Sequence, residues 1–371
     1  MSWTPSFIRT AAVVVLVCLV APVARAPAAA RGGVTCSESR TSGASSTRPF
    51  DVGDARPDDS LDDYPAIQTA IDRAGAAGGG VVGLAAGTYL IDGHLRLATN
   101  VTLRGVGPAT VLKAGPLFLD TTGPHGGQPL ITTDGADDVT IAALTADQSG
   151  DTLDAADITG RLAEYLVDVR GSTNTLVSGV ATRNPFTYSI AVVDSTRFCI
   201  RGSRTRVTSS GRYDQLDGIH VLNSSRGDVL RNLVDQGLGA DGDDGLVAHT
   251  MDGGSVHDVR FVGNRVRGGS NGVAMDLATS TPRDRIHDVH IMGNVFYGSP
   301  AGIVSEAFGS AGSIATLMIV HNSMHDNGGN AIDLRVGMPR GVAIVDNRTC
   351  RSGGMRIRRG HGNRVVRTHR C

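Results

Sequence analysis

The feature that most constrains this sequence is a short phrase that returns at nearly regular intervals. Asp217-Gly218-Ile219 is followed by Asp244-Gly245-Leu246, and three altered copies continue at a period of about 27 to 30 residues. The altered copies are Asn271-Gly272-Val273, Ala301-Gly302-Ile303 and Asn330-Ala331-Ile332. A period of this length, with short β-branched runs separated by Gly, Asn and Asp, predicts the stacked coils of a solenoid.

The composition favours a turn-rich, all-β chain. Gly occurs 49 times in the 371 residues, aromatic residues make up only 4%, and long helical periodicity is nearly absent. The formal net charge is −1. A balance this close to neutral argues against a nucleic-acid-binding protein and against a membrane-surface protein.

The first residues have the pattern of an export signal. Arg9 precedes an apolar run at residues 11–20 that is too short to span a membrane, and small residues that suit cleavage follow it. We therefore expect residues 1–30 to be a signal peptide and the protein to be secreted. Residues 31–49 have little apolar content and predict a flexible mature N-terminus. Residues 50–371 show no break in composition and predict one elongated domain.

The cysteines are consistent with an exported protein. Cys18 lies in the predicted signal, so Cys36, Cys199, Cys350 and Cys371 remain. Four cysteines allow three pairings. We favour Cys350 with Cys371, because that disulfide would hold the C-terminal tail in place.

One helix is clear from the sequence, at residues 60–80. Asp62 or Asp63 can cap it, Pro65 suits its first turn, and a run of glycines ends it. Its apolar face consists of Ile67, Ala70, Ile71 and Ala74. A helix here would cover the open end of the first coil, whose backbone groups need a cap.

Several stretches near this helix resemble the N-terminal part of pectate-lyase-like proteins. They are Phe50-Asp51-Val52, Asp63-Tyr64-Pro65-Ala66-Ile67-Gln68-Thr69-Ala70-Ile71, Gly78-Gly79-Gly80-Val81-Val82, Ala86-Gly87-Thr88-Tyr89 and Val101-Thr102-Leu103-Arg104-Gly105. The resemblance implies a single-stranded right-handed parallel β-helix with an N-terminal capping helix. That superfamily includes hydrolases, lyases, epimerases and adhesins, so it implies a fold and not a reaction.

Asparagines end several of the strands between the repeated phrases. Asn264, Asn294 and Asn322 each follow an apolar run and fall in register. Asparagine at such corners forms ladders of side-chain amides and tolerates a left-handed backbone. We therefore interpret these three residues as structural.

The register of the repeated phrase assigns side chains to the two faces of one sheet. The apolar ends of the phrase must point into the core, since a solenoid interior is packed with apolar groups. The residues two positions before these apolar residues form one outward column, which reads Asp217, Asp244, Asn271, Ala301 and Asn330. A second outward column reads Leu222, His249, Asp276, Glu306 and Arg335. A middle column begins with His220, so the register places both histidines in an exposed cleft.

The stacked carboxylates suggest catalysis. Asp217 and Asp244 would be neighbours at about 4.8 Å between coils, and Asp243 could turn toward the same cleft. Like charges so close lower stability, which favours a functional reason for them. Two carboxylates about 6.5–9.5 Å apart can perform inverting hydrolysis of a glycosidic bond. The alternative is that Asp-Gly only begins a strand, because both residues suit turns.

The doubled phrase resembles the motifs of polygalacturonase-type glycoside hydrolases. The resemblance implies that Asp243 is the general acid and that Asp217 and Asp244 hold and activate the water. The family's Gly-His-Gly phrase is replaced here by Ser270-Asn271-Gly272, and its Arg-Ile-Lys phrase by Val304-Ser305-Glu306. A glutamate in place of that cation would repel galacturonate, so we expect a neutral polysaccharide as substrate.

The remaining predictions concern binding. The residues expected to bind substrate are His220, His249, Asn271, Asp276 and Glu306. We expect no cofactor, although calcium is possible, and assign no metal ligand. The expected partner is a polysaccharide or oligosaccharide, with no nucleic acid and no membrane after signal cleavage, and the protein is expected to be a monomer.

Two other functions fit the same fold. A polysaccharide lyase or epimerase would use a histidine, arginine or tyrosine to abstract a sugar proton beside a calcium ion or an arginine. A non-catalytic carbohydrate-binding β-helix would need exposed aromatic platforms, and the sequence offers few beyond residues such as Tyr188 and Tyr297.

Overall fold

The computed structural model describes Cys36 and residues 47–118, 129–153, 165–207, 216–238, 242–277, 281–307, 312–337, 339–358 and 362–371. These residues fall in one compact unit. The predicted signal peptide at 1–30 lies outside the described residues, as does the predicted flexible segment 31–49 except for Cys36 and residues 47–49. Within the described part of the chain, no helix combines the length and the apolar character needed to cross a membrane.

Thirty-one short strands and two helices make up the regular structure of the described residues. The helices are α1 (Tyr64–Ala76) and α2 (Gly150–Leu153). The strands before the site are β1 (Pro49–Phe50), β2 (Gly80–Gly83), β3 (Gly87–Ile91), β4 (Leu95–Arg96), β5 (Val101–Arg104), β6 (Thr110–Ala114), β7 (Ile131–Thr132), β8 (Thr140–Ala142), β9 (Thr145–Asp147), β10 (Val167–Arg170), β11 (Thr173–Ser178), β12 (Ala181–Arg183), β13 (Ile190–Val193), β14 (Thr196–Arg201) and β15 (Arg204–Arg206). The others are β16 (Ile219–Leu222), β17 (Ser225–Leu230), β18 (Leu233–Asp235), β19 (Leu246–Thr250), β20 (Ser255–Val262), β21 (Arg265–Arg267), β22 (Asn271–Leu277), β23 (Arg285–Met292), β24 (Val295–Tyr297), β25 (Ala301–Ala307), β26 (Ser313–Val320), β27 (Ser323–His325), β28 (Asn330–Leu334), β29 (Ala343–Cys350), β30 (Gly353–Ile357) and β31 (Arg364–Arg370).

The strands follow the chain around successive coils. Each central coil contributes one strand to a ten-stranded parallel sheet, in the order β4, β7, β10, β13, β16, β19, β22, β25, β28 and β30. We call this the site sheet. The other two strands of each coil pair in the same way with those of the next coil. The chain is the predicted right-handed parallel β-helix.

The register of the site sheet agrees with the sequence. Ile219 pairs with Leu246, which pairs with Val273, and that residue pairs with Ile303. All four side chains are fully buried in the continuous apolar core. The outer columns follow as predicted, since residues in register lie on the same face of a parallel sheet.

The capping helix is shorter than predicted at its start. Helix α1 begins at Tyr64 rather than at residue 60, because Asp62 bridges to Leu90 and the Asp63 amide donates to the Leu90 carbonyl at 2.8 Å. The backbone just before Tyr64 is therefore hydrogen-bonded to the first coil instead of continuing the helix. The predicted apolar face is buried against that coil: Ile67, Ala70, Ile71 and Ala74.

The predicted asparagine ladder is present and extends by one residue at each end. The Asn264 side-chain amide donates to Asn294 Oδ1 at 3.0 Å, and the same bond joins the other neighbouring members of Asn232, Asn264, Asn294, Asn322 and Asn347. The ladder asparagines themselves do not adopt the left-handed backbone that asparagine tolerates. Positive φ is found one residue earlier, at Arg231, Gly263, Gly293, His321 and Asp346. The asparagine conformation is instead fixed by its bonds to the neighbouring coils.

Two disulfides are present, Cys350–Cys371 as predicted and Cys36–Cys199. The second ties a residue of the predicted flexible N-terminus to strand β14. The Cys36 amide also donates to Asp228 Oδ2 at 3.0 Å, and Cys36 is buried. This end of the described chain is therefore anchored at one point to the middle of the β-helix.

Candidate active site

The predicted site residues converge on one cleft on the outer face of the site sheet. The cleft has a volume of about 470 Å³ and is lined by residues of β16, β19, β22 and β25, by residues of the turns before them, and by Tyr188 and Val336. Five of its lining residues are acidic: Asp217, Asp243, Asp244, Asp276 and Glu306. Among the described residues that line it there is no lysine or arginine. The cleft is therefore a strongly acidic surface.

The glycine of the repeated phrase has a packing role. A Cβ atom on Gly218 would lie 2.4 Å from Val234 and 2.5 Å from the Gly245 carbonyl oxygen. A Cβ on Gly245 would lie 2.2 Å from Val266. Only glycine allows successive coils to approach this closely. The Asp-Gly pair thus holds Asp217 and Asp244 at the entrance of their strands, one coil apart.

The three candidate catalytic carboxylates are close together. One oxygen from each of Asp217, Asp243 and Asp244 lies within 4.8 Å of the others. Asp217 accepts a hydrogen bond from the Asp244 backbone amide at 2.9 Å. Asp217 and Asp244 are buried, whereas Asp243 is half-buried and lines the cleft. The oxygens are closer than the separation of about 6.5–9.5 Å expected for an inverting pair.

Asn271 joins the cluster to the next acid. Its side-chain amide donates to Asp244 Oδ1 at 2.7 Å and to Glu306 Oε1 at 3.1 Å. Glu306 is in register with Asp276 on the neighbouring strand. The Asn271 amide therefore lies between the Asp244 and Glu306 carboxylates, which would otherwise face each other.

Two histidines extend the cluster in the other direction. His220 Nδ1 lies 2.6 Å from Asp217 Oδ2, and His220 Nε2 lies 2.9 Å from His249 Nδ1. His220 is buried, because Tyr188 stacks on its ring at a centroid distance of 4.1 Å. His220 therefore lines the cleft but is buried there, so only its predicted exposure was wrong. His249 is half-buried and lines the cleft as predicted.

Burial changes the protonation of these groups. Burial raises the pKa of Asp217 to about 7, although the hydrogen bond from the Asp244 amide opposes this shift. Burial also lowers the pKa of His220 and that of His249 to about 3. Burial, and then the charges of Asp217, Asp243 and Glu306, also raises the pKa of Asp244 well above its usual range. At neutral pH the cluster therefore retains protons on carboxylates while both imidazoles are uncharged.

The same burial and repulsion act at the edge of the cleft. Burial raises the pKa of Asp276 to about 7, with further contributions from Glu306, Asp217 and Asp243. The pKa of Glu306 is raised mainly by burial, and the hydrogen bond from Asn271 opposes this shift. Asp276, like Asp217, therefore holds a proton more readily than an exposed aspartate does.

The three carboxylates are also close enough to share a cation. Within the described part of the chain, Asp217, Asp243 and Asp244 form one group of acids with this spacing. Calcium takes about 6–8 oxygen ligands. Both Asp217 oxygens and one Asp244 oxygen already accept a hydrogen bond or contact His220. We propose that protons, and not a metal ion, relieve the charge in this cluster.

This assignment predicts that calcium does not stabilise the protein. Millimolar Ca²⁺ is expected to leave the midpoint of thermal unfolding unchanged, because a ligand raises the midpoint only if it binds the folded state. Differential scanning fluorimetry with and without Ca²⁺ tests this, with Mg²⁺ as the control for ionic strength. A rise specific to Ca²⁺ that disappears in Asp244→Asn would contradict it.

The site also includes two tyrosines, Tyr165 and Tyr188, which the sequence analysis did not assign to it. Tyr188 and Tyr165 stack at 4.7 Å, and Tyr188 covers His220. Both lie two residues before an inward apolar residue, Ile190 and Val167. They therefore continue the outward column of Asp217 into the two preceding coils. Extending the repeat toward the N-terminus of the sequence would have placed both tyrosines in this column. Tyr188 is buried and is no exposed platform, whereas Tyr297 is 41% exposed.

Comparisons with known proteins agree with the fold. Residues 51–291 match the family described as rhamnogalacturonase A/epimerase, pectate lyase-like. No curated protein matches the chain.

Three similar solved structures illustrate the range of this fold. An exopolygalacturonase from Thermotoga maritima is 15% identical with a TM-score of 0.64, covering 87% of this chain and 91% of its own. A polygalacturonase from Erwinia carotovora is 15% identical with a TM-score of 0.60, covering 87% and 97%. PfbA, a surface adhesin of Streptococcus pneumoniae, is 15% identical with a TM-score of 0.60, covering 86% and 93%.

Proposed function

The chain belongs to the rhamnogalacturonase A/epimerase, pectate lyase-like family, and from that premise we propose that it is a secreted, monomeric, polysaccharide-degrading glycoside hydrolase. The observation that carries the proposal is the cluster of Asp217, Asp243 and Asp244 within 4.8 Å of one another, on a cleft open to solvent. The two disulfides support export, since such bonds persist in oxidising compartments.

Asp243 is proposed as the general acid. It is the least buried of the three carboxylates, so it can reach the oxygen of a glycosidic bond in the cleft. Like charges this close cannot all be ionised at neutral pH. A proton is therefore kept in the cluster, and a general acid needs one to donate to the leaving sugar.

Asp217 and Asp244 are proposed to hold and activate the attacking water. They lie one coil apart at the same position of the phrase, and the Asp244 amide fixes the Asp217 carboxylate at 2.9 Å. We propose that the reaction inverts the anomeric carbon. Because the oxygens are closer than in a typical inverting pair, this proposal rests on a water shared by Asp217 and Asp244 and not on a wide gap.

The cleft favours a neutral sugar. A uronate carboxylate bound here would face Asp276 and Glu306, and no described lining residue supplies a positive charge. The adjoining groove is lined in part by an arginine, Arg335. Its guanidinium donates to both carboxylate oxygens of Asp333. We propose that Asn271, Asp276, Glu306 and His249 accept or donate hydrogen bonds to sugar hydroxyls, whereas His220 positions Asp217.

An assay of products tests the proposal. The purified protein is incubated with neutral polysaccharides and with polygalacturonate, and new reducing ends are measured together with the ultraviolet absorbance of unsaturated uronates. We expect reducing ends from a neutral polymer without that absorbance. Absorbing products would indicate a lyase, and binding without any product would indicate a carbohydrate-binding protein, so either result would overturn the proposal.

Glu306 is expected to select against uronates. In Glu306→Gln the charge is lost while the amide oxygen can still accept the bond from Asn271. We expect the ratio of kcat/KM on uronate polymers to that on the neutral substrate to rise by about tenfold, since one repulsive charge is removed at short range. The kinetics of wild type and variant on both polymers measure this ratio. A wild-type preference for polygalacturonate, or an unchanged ratio, would contradict the assignment.

A further inference from the structure

Four side chains from three consecutive coils form a line at the cleft, in which two contacts are hydrogen-bonded and the third is longer. The successive contacts are Asp217 Oδ2 to His220 Nδ1 at 2.6 Å, His220 Nε2 to His249 Nδ1 at 2.9 Å, and His249 Nε2 to Asp276 Oδ2 at 3.5 Å. We propose that Asp276 is a positioning residue that sets the protonation of Asp217 by fixing the tautomers of His249 and His220. The inference rests on the proposed hydrolysis, in which Asp217 must be a base.

The line can hold its protons in two matched arrangements. In the first, the hydrogens are on His220 Nδ1, His249 Nδ1 and Asp276, and Asp217 is a carboxylate. In the second, they are on Asp217, His220 Nε2 and His249 Nε2, and Asp276 is the carboxylate. Each arrangement has three hydrogens, two neutral imidazoles and one negative charge.

Conversion of the second arrangement into the first moves three hydrogens by one contact each. Asp217 gives its proton to His220 Nδ1, His220 Nε2 gives one to His249 Nδ1, and His249 Nε2 gives one to Asp276. No proton enters or leaves the line. The net result is that Asp217 becomes a base and Asp276 becomes a neutral acid.

Burial of the two rings suits this exchange. Tyr188 stacks on His220 at 4.1 Å and thereby closes one side of the line, and the His220 and His249 rings meet edge to face at 5.0 Å. Burial lowers the pKa of both histidines to about 3, so neither ring stores a positive charge near neutral pH. The imidazoles can therefore pass a proton between the carboxylates without retaining it.

The last contact is the one that can change. At 3.5 Å, His249 Nε2 makes no hydrogen bond, and it is buried with no partner among the described residues. Asp276 Oδ1 is also buried without a partner there. Buried polar atoms are costly when unpaired. A movement of about half an ångström would pair His249 with Asp276 and complete the line.

Among the described residues, the titratable groups that act on the two ends of the line are acids and tyrosines. Asp276 faces Glu306, Asp243 and Asp217, while Tyr188 and Asp244 face the Asp217 end. Burial is the largest cause that raises the pKa of Asp217 and that of Asp276 to about 7, so either carboxyl can hold a proton near neutral pH. No described residue lining the cleft is a lysine or arginine that could fix the charge at one end.

Removal of the far end of the line gives a prediction with a definite sign. In Asp276→Asn the side-chain amide can donate to His249 Nε2 as a protonated Asp276 would, which holds the line in the first arrangement and favours ionised Asp217. The rise of kcat with pH should therefore move to lower pH by about one unit, with kcat at pH 6 raised about fivefold. If Asp276 acted only by repulsion, the same shift would persist after His249 is also replaced, because the charge and not the line would cause it.

A second variant cuts the line and leaves the charge of Asp276 in place. In His249→Gln the line is cut, so a further change of Asp276→Asn should no longer move the kcat profile. The matched control is His257→Gln, since His257 stacks on His287 on another sheet and lies outside the cleft, and there Asp276→Asn should still move the profile. A shift to higher pH or no shift in Asp276→Asn, or the same shift in its combination with His249→Gln, would overturn the inference.

Nitrogen NMR of the histidine rings separates this inference from the proposed function, because it needs no substrate. Between pH 5 and 8 we expect His220 and His249 to stay neutral, each averaging between its two tautomers, and His220 to follow the titration of Asp217 in Asp276→Asn. Single-histidine variants assign the signals. Uptake of a proton by either ring near the ordinary pKa of 6.5 would overturn the line even if the protein is an active hydrolase.

Discussion

Asp243→Asn is expected to lower kcat on the cleaved polysaccharide by at least about a hundredfold, with little change in KM. Asparagine has nearly the same shape as aspartate but cannot donate a proton to a leaving sugar. General acid catalysis typically contributes about 10²–10⁴ to the rate. The fold should survive the change, since Asp243 is half-buried and precedes the strand β19.

The control for this experiment is an aspartate outside the cleft. Asp288→Asn makes the same chemical change on strand β23, where Asp288 contacts His287 at 2.8 Å. Its kcat should equal that of the wild type. If Asp243→Asn keeps more than about a tenth of the activity while it folds normally, Asp243 is not the acid and the assignment by resemblance is wrong.

Asn264→Ala is expected to destabilise the protein by about 3–5 kcal/mol. The fully buried Asn264 side chain donates to the Val229 carbonyl at 2.8 Å and to Asn294 at 3.0 Å. It also accepts from the backbone and side-chain amides of Asn232. The alanine variant leaves these groups buried and unpaired, and each costs about 1–3 kcal/mol.

Urea unfolding followed by circular dichroism measures this change as a shift of the midpoint. The control is Asn330→Ala, because Asn330 is half-buried and its side chain makes one described bond, to Asp333 at 3.0 Å. We expect that variant to lose less than about 1 kcal/mol. Equal losses in the two variants would show that the ladder contributes nothing special to stability.

The fold was predictable because its information is local and repeated. The spacing of the Asp-Gly phrase fixed which residues face the core, and the structure has the same register from Ile219 to Ile303. The apolar face of helix α1 and the asparagine ladder also follow from patterns within a few residues. A slip of one residue in the strand register would turn every side chain to the opposite face of the sheet, so the hydrophobic pattern permits a single register.

Long-range contacts were harder to predict. Cys36 and Cys199 are separated by 163 residues, and nothing local indicates their pairing. The burial of His220 depends on Tyr188, which comes from the preceding coil. The sequence placed the histidine on the correct face, but exposure on that face is decided by neighbours in space.

The sequence indicated which residues lie near one another and not how they are connected. The outward columns bring four acids together and Asp243 was expected to turn toward them, and all five line the cleft. The order of contacts from Asp217 through His220 to His249 required side-chain geometry that register alone does not provide. The same is true of Asn271, whose position between Asp244 and Glu306 depends on the rotamer of its amide.

The most direct measurement is the fate of oxygen from labelled water during cleavage of the polysaccharide. The reaction is run in water enriched in ¹⁸O, the products are analysed by mass spectrometry, and the first anomer formed is identified by proton NMR. We predict that each new reducing end carries one labelled oxygen and appears with inverted configuration. Products that form without label would contradict hydrolysis, and a labelled product of retained configuration would contradict a water held by Asp217 and Asp244.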